Sequence, residues 1–117
     1  MRWSALPILF FAAACGQARY PASASHVLLG KQLPKMSHST TVTGTPLDSA
    51  TLSGRPVLVK FFASYCEPCR KTLPAVERAH QAYGDVAFVG VDEDESIELA
   101  TGMVQQYSLT FPVIHDG

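Results

Sequence analysis

The sequence is short of cysteine and of net charge, and it has no second acidic cluster. Its three cysteines, Cys15, Cys66 and Cys69, are not scattered through the 117 residues as a stapled secreted fold would have them. The net charge is −1, so the chain offers no basic face of the kind nucleic acid requires. Acidic residues gather once, at Asp92-Glu93-Asp94-Glu95, with no second cluster to complete a divalent-cation site. Read alone, that run is the solvated start of a helix. The apolar run from Ala5 to Ala14 is too short to span a bilayer as a mature helix. There is no internal repeat and no low-complexity tract. The length holds one domain.

What the sequence does hold is one organised stretch, Val57-Leu58-Val59-Lys60-Phe61-Phe62-Ala63-Ser64-Tyr65-Cys66-Glu67-Pro68-Cys69-Arg70-Lys71. Its first half is β-branched and aromatic and predicts a buried strand. Its second half places two cysteines three apart where a helical pattern begins. Residues at that spacing share a face of the first turn, so their sulfurs can meet. Their Cα atoms should fall within the ~4.4–6.8 Å that a disulfide tolerates. The positive end of the helix dipole also favours a thiolate at Cys66.

Other elements follow from local pattern. Thr40 to Leu47 carries β-formers on both sides of Gly44, a hairpin signal. Asp48 can cap a short helical turn through Leu52, closed by Gly54. Cys69, Leu73, Val76, Ala79, His80 and Tyr83 form a core-facing helical stripe, with Pro74 placed to kink it. Val86 to Val91 predicts a second buried strand, Ile97 to Tyr107 a helix, and Phe111 to His115 a third strand. Asp116-Gly117 is a hairpin-turn signal with no returning strand after it.

The order strand, Cys-x-x-Cys, proline-bearing helix, strand, helix, Phe-Pro, strand resembles the thioredoxin superfamily. In particular it is similar to the exported TlpA/ResA-like thiol-disulfide oxidoreductases. The resemblance is carried by the stretch from Val57 to Pro74, by Val89-Gly90-Val91-Asp92 and by Tyr107-Ser108-Leu109-Thr110-Phe111-Pro112. It implies an α/β, thioredoxin-like fold: a central mixed sheet flanked by helices, with the final strand and helix missing. It implies that Cys66 is the exposed nucleophile and Cys69 the more buried resolving thiol of a redox-active disulfide. Pro112 would be the family's cis-proline, facing that disulfide. Tyr65, Glu67, Pro68 and Phe111 would shape the docking of a partner. Lys60 stands where thioredoxin has a buried aspartate, and the plainer expectation is that it snorkels to solvent. No organic cofactor and no metal is implied. The partners implied are protein thiols and disulfides, such as those of apocytochrome c or copper-centre proteins, and a membrane dithiol electron donor. Two other readings stand beside this one. Cys66 and Cys69 with His115 or Met103 could hold copper, as in copper-delivery relatives of the fold. A module lacking its last layers could also be non-catalytic.

The N-terminus looks like a bacterial lipoprotein signal. Met1-Arg2-Trp3-Ser4 carries a positive charge, an apolar core follows, and small residues precede Cys15-Gly16. Cleavage after Ala22-Ser23-Ala24 and an uncleaved anchor are the alternatives. The organisation expected is a signal over 1–14, a flexible tether over 15–28 starting at a lipidated Cys15, and the domain over 29–117. The protein would then be exported and membrane-anchored, facing the periplasm or cell exterior.

Overall fold

The computed structural model describes residues 41–117, together with 27, 29–32, 35, 37 and 38. The signal-like segment 1–14 and Cys15 lie outside the described residues. The chain divides into two units, Met1–Lys31 and Gln32–Gly117. In the first, Val27 and Leu29 lie in turns and are exposed. All the secondary structure described belongs to the second. Among the described residues no helix is long and apolar enough to cross a membrane.

The hairpin signal around Gly44 is met by two short strands, β1 (Ser37–His38) and β2 (Leu47–Asp48), which pair antiparallel. Residues 41–45, the described part of the Thr-rich segment, lie between the two strands. Gly44 sits there at φ +77°, a left-handed conformation that glycine adopts without steric cost. Asp48 then caps α1 (Ser49–Leu52), its carboxylate accepting the Ala50 N–H at 2.8 Å.

The main sheet has three strands in the order β3 (Val57–Phe62), β4 (Ala87–Asp92), β5 (Val113–His115), all parallel. Parallel neighbours need crossovers. Those are α2 (Glu67–Ala82) and α3 (Ile97–Tyr107). Every residue of β4 is buried, as a central parallel strand should be. The expectation of a buried β3 is corrected. Among the described residues it pairs on one side only, and Leu58, Val59 and Phe61 are 40%, 43% and 54% exposed. Periodicity reports apolar composition, not which strand ends at the edge.

The larger core cluster joins Phe62, Leu73, Phe88, Met103, Leu109, Phe111 and Val113. Fully burying each of the larger of these side chains contributes about 1.5–3 kcal/mol. Gly90, in the middle of β4, makes the cluster possible. A Cβ there would lie 2.9 Å from Val113, 3.0 Å from Phe111 and 3.1 Å from Phe62. The α2 stripe is largely as expected, with Leu73 fully buried and Val76, Ala79 and Cys69 packed against the cluster. His80 meets Phe88 and Phe111 edge-on, at centroid distances of 5.4 and 5.7 Å. Tyr83 departs from the expectation, being 59% exposed at the helix's C-cap. The helix runs unbroken through Pro74.

The buried face of α2 also carries a carboxylate. Glu77 is 6% exposed. It accepts the Thr110 hydroxyl at 2.6 Å, the Thr110 N–H at 2.9 Å and the Gln81 amide at 2.8 Å. These bonds tie α2 to the segment leading into β5. Burial pushes the Glu77 carboxyl up, but the Thr110 and Gln81 hydrogen bonds and the field of His80 outweigh it. Its pKa lies below the ordinary 4.5. A carboxylate depressed in the fold contributes stability that is complete above its unfolded pKa. That stability is lost as pH falls through the lower folded value. Glu77→Gln is therefore expected to cost about 1–3 kcal/mol at neutral pH and to flatten the loss of stability below pH 4.5. Urea unfolding at a series of pH values measures both effects.

Candidate redox site

The chain leaves β3 at Phe62 and turns at Ala63–Cys66, where the Cys66 N–H donates to the Ala63 carbonyl at 3.1 Å. Cys66 is the N-cap of α2, in extended backbone, and its carbonyl accepts the Arg70 N–H at 3.0 Å. Its side chain makes no cap hydrogen bond to the helix. Cys69 lies one turn in, and the two sulfurs are bonded, with Cα atoms 5.2 Å apart. Both cysteines are half-buried, and only Cys69 also packs against the core cluster. Pro68 occupies the first turn, where its missing N–H costs nothing. The Thr72 hydroxyl turns back onto the Cys69 and Pro68 carbonyls, at 2.9 and 3.2 Å.

Tyr65 is 75% exposed beside Cys66. Glu67 is also exposed, and its carboxylate pairs with Lys71 at 2.8 Å across one helical turn. That pairing partly offsets the effect of a negative charge next to Cys66. Lys60 is half-buried on β3 opposite Gly90.

Two expectations are corrected. The Phe111–Pro112 bond is trans, and Pro112 does not face the disulfide. The register sets Val113 beside Gly90 and Gly90 beside Lys60. Pro112 thus stands two strands from β3, roughly 10 Å across at ~4.8 Å per strand. It also lies well below the sheet end from which Cys66 departs. Its carbonyl accepts the Gly90 N–H at 2.8 Å, and the Val113 carbonyl accepts the Val42 N–H at 2.8 Å. These bonds hold extended backbone there. Phe111 is not a docking residue, because its ring is fully buried in the space that Gly90 leaves. The copper reading finds no support in this geometry. Met103 is 3% exposed in the core, and His115 is bonded to Asp92. Among the described residues no group of three or more His, Cys, Asp and Glu could hold a metal ion.

Sequence reasoning also missed the polar cluster beneath the Cys66 turn. Asp92 and Asp94 are 0% and 1% exposed, whereas Glu93 and Glu95 are exposed. The acidic run is therefore not simply a solvated helix start. The signal was alternation: residues two apart continue the face of β4 beyond its end. Asp94 accepts the Ser64 N–H and hydroxyl. Asp92 accepts the Asp94 N–H at 3.2 Å and faces His115 Nδ1 at 3.1 Å. Burial raises the Asp92 pKa foremost, and the neighbouring Asp94 adds to it. Bonds from His115 and the Asp94 amide pull the other way, leaving it above the ordinary 3.8.

These placements separate stability from chemistry. Phe111→Ala should lower the unfolding free energy by about 3–5 kcal/mol. Tyr65→Ala should change it by no more than about 0.5 kcal/mol. Urea titration of both variants checks the contrast.

Comparison with known proteins agrees with this geometry. The Thioredoxin family model matches residues 38–117. The chain is 33% identical over 91 residues to the thioredoxin-like protein YneN of Bacillus subtilis, covering 74% of this chain and 53% of that one. It is 30% identical over 90 residues to the thiol-disulfide oxidoreductase ResA of Bacillus cereus, covering 75% and 51%. A crystal structure of a secreted Mycobacterium tuberculosis disulfide oxidoreductase, homologous to E. coli DsbE, superposes with a TM-score of 0.62. The identity is 28%, over 70% of this chain and 60% of that one. The chain spans about half the length of the curated relatives it matches. A parallel sheet feeding a bonded Cys-x-x-Cys at a helix start, in residues that match the family over that whole region, makes this chain a member of the thioredoxin family.

Proposed function

We propose that this protein is an extracytoplasmic thiol-disulfide oxidoreductase that reduces disulfides in partner proteins. One observation carries the reading: Cys66 caps α2 without a side-chain hydrogen bond to the helix, its sulfur joined instead to Cys69 one turn on. In the reduced protein the Cys66 thiolate attacks one sulfur of a partner disulfide. That bond breaks, its other sulfur leaves as a thiolate and takes up a proton, and a mixed disulfide forms at Cys66. Cys69 then loses its proton and attacks the Cys66 sulfur. The mixed disulfide breaks, the partner's second sulfur leaves as a thiolate and takes up a proton, and the Cys66–Cys69 bond returns, so the partner has gained two electrons. The helix dipole supports Cys66 as the attacking group, and the packing of Cys69 against the core suits the resolving one. Tyr65, Glu67 and Pro68 form the rim that a partner meets. The chemistry needs no organic cofactor, since a second dithiol protein, held in the membrane, returns the electrons.

The signal-like N-terminus supports export, with residues 15–28 as the tether and Cys15 at its start as the lipid anchor. A solved neighbour described as secreted fits the same compartment. Cysteines awaiting haem or copper, in apocytochrome c or copper-centre proteins, are the substrates this reading favours.

Incubating the reduced Cys69→Ser variant with an oxidised protein substrate tests the mechanism. A mixed disulfide should accumulate at Cys66, and Cys66→Ser should form none. A Cys69→Ser protein that traps nothing, or an active Cys66→Ser protein, would sink the reading. Cys15→Ala should move the protein from the membrane to the soluble fraction, and retention in the membrane would contradict the anchor.

A further inference from the structure

The turn that delivers Cys66 is held from outside its own element. Asp94 lies beyond β4, thirty residues from Ser64, and is almost fully buried. The Ser64 N–H donates to its two oxygens at 2.9 and 3.1 Å, and the Ser64 hydroxyl donates to Oδ1 at 2.6 Å. The Asp94 backbone is fixed in turn. Its N–H donates to Asp92 Oδ1, and the adjacent Glu93 N–H donates to the Phe62 carbonyl at 3.0 Å. The bonds therefore run from the end of β4 to both sides of Ala63, the residue whose carbonyl closes the turn onto Cys66. Burying a carboxylate is costly unless strong hydrogen bonds meet it. Here the donors that meet it belong to the second residue before Cys66.

We propose that Asp94 is the positioning residue for the Cys66 nucleophile, clamping Ser64 so that the turn seats Cys66 Sγ at the N-terminus of α2. This rests on the exchange function proposed above. The seat matters because stabilisation of a thiolate by a helix end falls off within a turn. A loosened turn lets the sulfur leave that region, and the Cys66 thiol then ionises at higher pH. The reduced form loses stabilisation and the pair becomes more strongly reducing. The negative charge of Asp94 acts in the opposite direction, since a nearby anion disfavours a thiolate. Geometry and charge thus predict opposite signs. The other ionisable groups at this end are Glu67, Arg70 and Lys71 on α2, Asp92 on β4 and His115 on β5. All are kept in every variant below, and the Asp94 variants also remove the raising effect of Asp94 on the Asp92 carboxyl.

The experiment follows alkylation of Cys66 by iodoacetamide against pH, in the reduced full chain, with Asp94→Ala, Asp94→Asn and Ser64→Ala. Asp94→Ala should raise the midpoint by about one pH unit and slow alkylation below it about tenfold. Its potential against glutathione should become more negative. Asp94→Asn, which keeps an acceptor for Ser64, should not raise the midpoint. Ser64→Ala, which keeps only the amide bond, should raise it by less than Asp94→Ala. A lowered midpoint in both Asp94 variants would assign Asp94 an electrostatic role and overturn the proposal. So would a lowered melting temperature with midpoint and potential unchanged. If Asp94→Ala does not fold, Ser64→Ala decides alone, and an unchanged midpoint there overturns the clamp. Wild-type protein that exchanges normally beside unaltered variants would refute only the clamp. Wild-type protein that exchanges with no disulfide would refute the function itself.

Discussion

The register of β3 on β4 is the constraint on which the rest depends. It sets Phe62 beside Asp92, and β5 adds His115 to the same level. Because the three strands are parallel, their C-terminal ends reach one edge together. Open α/β sheets place their chemistry outside that edge. The Cys66 turn, the loop carrying Asp94 and the end of β5 meet there as a consequence. A slip of one residue would exchange the faces of β3 and take Phe62 out of the core. It would also part Ser64 from Asp94.

Two carboxylates divide the work of fixing α2. Asp94 holds the turn through which the helix is entered, and Glu77 holds its middle to Thr110. Both are buried, and both accept a backbone N–H together with a hydroxyl from the same residue. The helix start is thereby referenced to the sheet at two points. The first turn itself carries no such carboxylate restraint, and Tyr65, Glu67 and Pro68 around Cys66 are exposed.

Much of the local structure was legible in the sequence. The Cys-x-x-Cys at a strand-to-helix junction, the Asp48 cap and the helix from Ile97 to Tyr107 all depend on neighbours within a few residues. What was not legible depends on partners far along the chain. Nothing local to Phe111 says that a glycine on another strand has left room for its ring. Family resemblance gave Phe111 and Pro112 a surface role because Phe-Pro before a strand looks alike in either setting. The burial of Asp92 and Asp94 was half-visible, as an alternation past the end of β4 that four consecutive acids conceal. Glu77 sat beside an apolar stripe and carried no signal of its Thr110 partner. The exposure of Leu58, Val59 and Phe61 follows from β3 having a sheet neighbour on one side only among the described residues, which composition does not encode.

The proposed function requires Cys66 and Cys69 to be an exchanging pair and not a static staple. Equilibrating the full chain with glutathione buffers and counting free thiols tests it most directly. A single two-electron transition at Cys66 and Cys69 is expected, within the roughly −270 to −120 mV range of redox-active members of this fold. A pair that stays oxidised until well below about −300 mV, as structural disulfides do, would contradict it.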